Sequence, residues 1–167
     1  MALFLSLLAC QTEKPSSTPC TLCGGECQED VLPNYGQDHT TDPVEYEDHP
    51  PASGDHNPCW ANWGVQTDTV VPPENWVHNL EHGGVVFLYN CPDGCQEDLD
   101  QLSAYVQTLP VGRALLTSYP DMDWPFAAVS WQHRLLLGCY DEDAFNEFFV
   151  QHVGRAPENL LDPPSCM

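Results

Sequence analysis

The sequence predicts an α+β fold in which a small sheet of three or four strands packs with two or three helices. Two patterns in the second half of the chain support this class. Short, continuous apolar runs of strand length occur there, and they alternate with segments in which apolar residues recur every three or four positions, as on one face of a helix. The 167 residues suffice for one such domain and a tail.

The first predicted helix lies between Pro73 and Gly83, because proline is favoured at the start of a helix and glycine after its end. A helical arrangement of this segment divides its side chains between two faces. The apolar face carries Trp76, Val77 and Leu80, and the polar face carries His78, Glu81 and His82.

Two further helices are predicted from the same signals. Apolar residues recur at helical spacing from about residue 97 to 109. Residues 141–143 are all acidic, which suits a first helical turn, and the helix that they begin ends near Gly154.

Three apolar runs predict strands, at residues 85–89, 114–119 and 126–137. The last two are joined by a segment rich in proline and aspartate. We expect these last two strands to form a hairpin.

The N-terminal part of the chain has a different composition. Residues 1–10 are mainly apolar and are expected to be a signal segment, and residues 11–19 are rich in Ser, Thr and Pro, as in a flexible tether. Residues 20–167 are predicted to form the single folded domain, with a regular core at about residues 46–158. Its beginning, up to Pro58, is rich in Pro, Gly and Asp and predicts a loop-rich, disulfide-braced region.

The first ten residues resemble the end of a bacterial lipoprotein signal, since a short apolar run ends in Ala9 and Cys10. The resemblance implies that Cys10 becomes the lipidated first residue of the mature protein. Gln11 in the following position implies sorting to the outer membrane. The expected location is therefore the cell envelope, where the lipid alone contacts the membrane and the domain faces the periplasm or the cell surface.

Eight cysteines remain after Cys10, an even number that fits disulfides in an oxidising compartment. Cys91 and Cys95 flank a Pro-Asp-Gly turn that can bring them within bonding distance. The spacing of the first three also allows a thiolate metal site or a redox pair, and this alternative stays open. The eight are Cys20, Cys23, Cys27, Cys59, Cys91, Cys95, Cys139 and Cys166.

The net charge of the chain restricts the molecules that it can bind. With 25 acidic and four basic residues, the chain carries a formal net charge of −21 and repels the phosphates of nucleic acid. Cations and an unidentified, basic protein partner in the envelope are compatible with such a surface.

Histidines provide the main functional lead. His78 and His82 are four residues apart, which on a helix places both imidazoles on one face and allows them to bind one first-row metal ion. His56 lies in a loop punctuated by proline and glycine and is the best third ligand, while Glu81 and Met122 are possible additions. Three histidines suit zinc or copper(II), and a methionine would favour copper(I).

Other interpretations of the same residues remain. The histidines can organise loops in a non-catalytic interaction module, without any metal. The pattern His78-x-x-Glu81-His82 also matches a zinc hydrolase motif, so catalysis is an open alternative, although a non-enzymatic role is favoured. His39 and His49 are expected to face solvent, and His152 to place a positive charge in the last turn of a helix. The five tryptophans are expected to seal the core beneath long loops.

Several motifs resemble a known family. Residues 50–56 read Pro-Pro-Ala-Ser-Gly-Asp-His, residues 78–83 read His-Asn-Leu-Glu-His-Gly, and residues 156–158 read Ala-Pro-Glu. Between about residues 46 and 158 the chain is similar to a bacterial family catalogued as domain of unknown function 3105, in a cysteine-rich subgroup. Gln132 stands where such sequences usually carry glycine. The resemblance implies a shared domain and carries no activity.

Overall fold

A computed structural model of the protein describes residues 16–22 and 25–158. These residues include seven strands and three helices. The strands are β1 (Ser16–Leu22), β2 (Gly25–Val31), β3 (Gly64–Gln66), β4 (Val85–Tyr89), β5 (Ala114–Ser118), β6 (Phe126–Ser130) and β7 (His133–Leu137). The helices are α1 (Pro73–Glu81), α2 (Gln96–Thr108) and α3 (Glu142–His152).

The strands form one mixed sheet in the order β1-β2-β7-β6-β4-β5-β3. Strands β3, β5 and β4 are parallel to one another, and the remaining neighbours pair antiparallel. The parallel pair β4 and β5 is connected through α2, because parallel neighbours need a crossover connection.

The α+β class and the three helices are confirmed, but the predicted sheet of three or four strands is too small. The expected single strand at residues 126–137 is two strands, β6 and β7, which pair with each other. The expected hairpin of residues 114–119 with that strand is wrong, since β5 lies between β3 and β4. The turn was not predicted because the polar residues 130 and 132–134 lie between two apolar segments and contain no glycine, proline, asparagine or aspartate.

The N-terminal region also contains regular structure that composition did not predict. Strands β1 and β2 form an antiparallel hairpin in which Cys20 is opposite Cys27, and β2 continues the sheet next to β7. Strand β2 presents Cys27 and Asp30 to the interior and Val31 to solvent. Because one inward position is a carboxylate, the strand lacks the apolar alternation that would have revealed it.

Apolar side chains cover both faces of the sheet. On one face Val86 and Leu88 pack with α1 and the long loops, and on the other Val85 and Phe87 pack with α2 and α3. Alternate residues of β4 thus enter different clusters, so this internal strand is buried on both sides. Trp76 on α1 and Trp131 in the turn between β6 and β7 are buried in the cluster beneath the long loops, in line with the expected sealing role of the tryptophans.

Helices α1 and α3 begin at the signals seen in the sequence. Helix α1 begins at Pro73, and the side chain of Asp141 caps α3 by accepting a hydrogen bond from the backbone N–H of Ala144 at 3.0 Å. The turn between β6 and β7 requires a left-handed backbone at Gln132, with φ 63°. Glycine adopts this conformation more readily than glutamine, because it has no Cβ atom.

The predicted disulfide between Cys91 and Cys95 is present, with an S–S distance of 2.05 Å. Cys27, Cys59 and Cys139 are disulfide-bonded as well, so Cys27 does not serve as a thiolate metal ligand. The predictions for Cys10, Cys23 and Cys166 lie outside the described residues.

A buried ion pair holds the loop layer to the sheet. Arg134 on β7 donates from Nε and Nη2 to Oδ2 of Asp30 on β2, at 3.0 and 2.6 Å. Its Nη1 donates to the backbone oxygen of Pro50 at 3.1 Å. The loop that begins at Pro50 is therefore fixed on the face of the sheet that also carries α1. Among the described residues, no helix has the length and apolar content required to cross a membrane.

Candidate metal centre

The polar face of α1 is buried although the sequence gives it charged side chains. His78 and Glu81 are each 2% exposed and His82 is 5% exposed. The opposite face of the helix packs into the core through Trp76, Val77 and Leu80, as the helical pattern predicted. The polar face therefore points into a compartment between the helix and the loop layer.

His56 enters this compartment from the loop layer. Gly54 adopts φ 128°, and its carbonyl oxygen accepts a hydrogen bond from Nδ1–H of His56 at 2.8 Å. A side chain at Gly54 would collide with Tyr46, since a Cβ there would lie 3.0 Å from the Tyr46 ring. Because Nδ1–H is used for Gly54, Nε2 is the ring atom of His56 that faces Oε2 of Glu81, 3.0 Å away.

His78 is oriented in the same way by a different carbonyl. Its Nδ1–H donates to the backbone oxygen of Asn57 at 2.7 Å, which leaves the Nε2 lone pair for the interior. Burial lowers the pKa of His78 to about 4, and the neighbouring His56, His82 and His39 contribute less to this decrease. The hydrogen bond that His78 donates to the Asn57 carbonyl acts in the opposite direction and raises the pKa. The ring is therefore neutral at neutral pH, as a metal ligand must be.

His39 completes the group. Residue 39 forms a parallel bridge with residue 56, supported by hydrogen bonds from Thr40 N to His56 O at 2.8 Å and from His56 N to Asp38 O at 3.0 Å. This pairing brings His39 Nε2 to 3.6 Å from Glu81 Oε2, while about half of the side chain (49%) stays exposed. The expectation that His39 faces solvent is thus correct for only part of the ring.

One ligand atom from each of four residues falls within 4.8 Å of all the others: His39, His56, His78 and Glu81. Sequence reasoning named three of these residues and missed His39. A single histidine in a polar loop has no local signal, because only the contact with the segment at residue 56 defines its position.

His82, the third expected ligand, lies beside this group. Its Nε2 is 2.9 Å from Nε2 of His78 and 3.7 Å from Oε2 of Glu158. It belongs to a second set of potential ligands, composed of Glu81, His82 and Glu158. Met122, the other possible addition, is buried in the apolar cluster under α1.

Aromatic rings form a wall of the compartment. The ring centroid of Trp60 lies 5.0 Å from that of His78 and 4.7 Å from that of His82. Trp63 packs on Gly84, where a Cβ atom would approach the indole to 2.3 Å. Such a wall excludes water and strengthens electrostatic interactions among the ligands.

The model of one protein family matches residues 38–163, a span that contains His39, Glu158 and every candidate ligand between them. The chain belongs to the DUF3105 family, described as a protein of unknown function. This DUF3105 membership confirms the family resemblance seen in the sequence motifs. Comparison with curated proteins and with solved structures gave no match.

The remaining histidines of this DUF3105 protein lie elsewhere. His49 is exposed as expected, and its Nδ1 forms a 2.6 Å hydrogen bond with the hydroxyl of Tyr119. His152 does not provide the expected positive charge at the end of α3. It packs against His133 with ring centroids 4.2 Å apart, and burial, with His133 and Arg155, lowers its pKa to about 4.

Three imidazole nitrogens and one carboxylate oxygen are a donor set that a transition metal ion accepts. Zn(II) binds such donors in tetrahedral sites, and Cu(II) binds them in tetragonal ones. Hydrogen bonds from the distal imidazole nitrogen to backbone carbonyls are the usual support for histidine ligands. His56 and His78 both have this support.

Proposed function

We propose that this protein is a lipid-anchored envelope protein whose domain binds one transition metal ion, Zn(II) or Cu(II). The ligands are Nε2 of His39, His56 and His78 and the carboxylate of Glu81. The proposal concerns binding, and it assigns no reaction to the domain.

The observation that carries it is the orientation of the two fully buried imidazoles. His56 and His78 each use Nδ1–H for a backbone carbonyl, which leaves Nε2 as the ring atom that faces the interior, 3.0 and 3.9 Å from Oε2 of Glu81. A cation among these atoms can therefore be bound by both rings and by the carboxylate. The carboxylate is 3% exposed and has little water to offset its charge, so a neighbouring cation is favoured.

The hydrogen bond between His56 and Glu81 involves only one of these imidazoles. Nε2 of His39 and Nε2 of His78 lie 3.6 and 3.9 Å from the same carboxylate oxygen. A divalent cation satisfies all four atoms at once, which favours a metal ion over a proton.

The donor set argues for the class of ion. Glu81 supplies a hard oxygen and the histidines supply borderline nitrogens, so the site suits Zn(II) or Cu(II) better than Cu(I), which prefers sulfur. Glu81 approaches the imidazole nitrogens as a ligand does, so we do not assign it the water-activating role that the zinc hydrolase motif would require.

The envelope location is supported by independent features. The apolar segment that ends at Cys10 resembles a lipoprotein signal. Five of the described cysteines are disulfide-bonded, which fits an oxidising compartment: Cys27, Cys59, Cys91, Cys95 and Cys139. The strongly acidic surface attracts cations and fits a basic protein partner in the envelope.

The test is the metal content of the purified full-length chain, measured after removal of loosely bound ions and again after exposure to micromolar Zn(II) or Cu(II). The proposal expects one tightly bound ion at the four-residue site. His78→Ala removes this ion, and the matched variant His49→Ala keeps it. A folded wild-type chain that takes up neither metal would support the interaction-module alternative instead.

A further inference from the structure

We infer a second cation site that adjoins the first one and shares Glu81 with it, so that the centre holds two divalent ions. The additional ligands are His82 and Glu158. This inference rests on the proposed function, because Glu81 must face an ion at the first site.

The two additional ligands are positioned by the end of α1. His82 is the residue directly after the helix, and its carbonyl oxygen accepts a 3.0 Å hydrogen bond from Nη1 of Arg113. Glu158 lies on the segment after α3, whose backbone pairs with the same helix end. Gly154 N donates to Gly83 O at 2.8 Å, and Glu158 N donates to Glu81 O at 3.0 Å. Two backbone hydrogen bonds therefore hold Glu158 next to His82.

The ligand atoms of the second set are close enough for one ion. Glu81, His82 and Glu158 each offer an atom within 4.8 Å of the other two. Glu81 is common to both sets, and a carboxylate has two oxygens that can bind different ions. Carboxylate-bridged pairs of metal ions in proteins are about 3.5 to 4 Å apart.

A hydrogen bond between His78 and His82 connects the two sites. Because Nδ1–H of His78 donates to Asn57 O, Nε2 of His78 accepts the 2.9 Å hydrogen bond that Nε2–H of His82 donates. An ion at the first site takes the His78 lone pair and ends this hydrogen bond. Nε2 of His82, which lies 3.7 Å from Oε2 of Glu158, can then bind the second ion when the ring proton is on Nδ1.

This connection predicts an order of filling. The first ion binds to four residues, of which His56, His78 and Glu81 are buried. The second ion has His82, a shared Glu81 and Glu158, whose side chain is 49% exposed. The second ion therefore binds after the first and with lower affinity.

The experiment counts Zn(II) ions on the full-length chain by native mass spectrometry during a titration. The inference expects two ions on the wild type, with the dissociation constant of the second at least tenfold larger. Glu158→Gln, at a half-exposed position, leaves one ion. Glu97→Gln removes the same charge from an exposed position in α2 and leaves two. His82→Gln, checked for folding by circular dichroism, also leaves one.

Electron paramagnetic resonance with Cu(II) supplies a second measurement. Two bridged Cu(II) ions give an exchange-coupled spectrum in the wild type, and Glu158→Gln gives the spectrum of an isolated ion. A wild type that binds one ion, or a Glu158→Gln variant that still binds two, overturns the second site and leaves the proposed function standing. A wild type that binds none overturns both.

Discussion

Nε2 of His56 lies 3.0 Å from Oε2 of Glu81, and the two side chains are 0% and 3% exposed. Gly54 accepts a hydrogen bond from the opposite ring nitrogen of His56, so Nε2 is the ring atom that faces the carboxyl group in a region with little water. A buried carboxylate is costly unless a cation or hydrogen-bond donors compensate it, and the proposed metal ion provides such a cation beside Glu81.

Glu81→Gln should separate metal binding from folding. The amide of glutamine can donate to the His56 lone pair, so the metal-free variant should keep its stability within about 1 kcal/mol. The lost carboxylate should lower the affinity for Zn(II) at least tenfold, or about 1.4 kcal/mol. Thermal unfolding with and without Zn(II) measures both effects. An equal increase in Tm with Zn(II) for variant and wild type would remove Glu81 from the ligand set.

His39→Ala tests the ligand that the sequence did not reveal. Because the side chain is 49% exposed, its removal should change the stability of the metal-free protein by less than about 0.5 kcal/mol. The affinity for Zn(II), measured by isothermal titration calorimetry, should fall at least tenfold. His49→Ala serves as the control, since His49 is also an exposed loop histidine and contacts Tyr119 instead. Equal affinities in the two variants would place His39 outside the site.

Asp30→Asn should destabilise the fold strongly. The change leaves the guanidinium of Arg134, a residue that is 7% exposed, without its negative partner. Loss of one member of a buried ion pair typically costs about 3 to 5 kcal/mol. Asp143→Asn, at an exposed position in the first turn of α3, should cost no more than about 0.5 kcal/mol. Urea unfolding compares the two, and similar losses would contradict a structural role for the buried pair.

His152 should make the protein less stable in acid. Its pKa in the folded state is lowered to about 4, mainly by burial. The unfolded chain binds this proton near pH 6.5, so the stability contribution is complete above that pH and is lost as the pH falls toward about 4. Titration of His152 changes the free energy of unfolding by at most about 1.4 kcal/mol per pH unit. In urea unfolding between about pH 6.5 and 4, the free energy of unfolding of His152→Leu should decrease less steeply with falling pH than that of the wild type. An equal decrease in the two proteins would contradict this role of His152.

Gln132→Gly should stabilise the β6–β7 turn. Gln132 adopts φ 63°, where a Cβ atom costs about 1 to 2 kcal/mol. Glycine avoids that strain but has a more flexible unfolded state and loses the 3.3 Å hydrogen bond from Nε2 to Leu32 O. We expect a net gain of about 0.5 kcal/mol in urea unfolding. A loss of stability would mean that the side-chain hydrogen bond outweighs the backbone strain.

The sequence predicted those parts of the fold that local patterns determine. Apolar spacing and terminal signals placed α1, α2 and α3, and a continuous apolar run placed β4. Strand β2 was not predicted, because its buried Asp30 is paired with Arg134 on β7, a strand that is adjacent in the sheet but distant in the sequence. A pairing between residues so far apart in the sequence cannot be recognised from the residues around Asp30 alone.

In the candidate site, too, local sequence patterns predicted some residues, and long-range contacts determined the others. The helical spacing of His78 and Glu81 and the glycine-punctuated loop before His56 were visible in the sequence. The position of His39 depends on its bridge to the segment at residue 56, which exists only in the folded chain. Local sequence therefore identified the two elements that form the site, and the tertiary structure supplied the additional ligand.

X-ray absorption spectroscopy of the full-length chain loaded with one equivalent of Zn(II) tests the central claim most directly. The account predicts a first shell of nitrogen and oxygen at about 2.0 to 2.2 Å, with the outer-shell scattering of three imidazole rings. His56→Ala should remove one ring from this pattern. A shell dominated by sulfur at about 2.3 Å, or a shell without imidazole scattering, would contradict it.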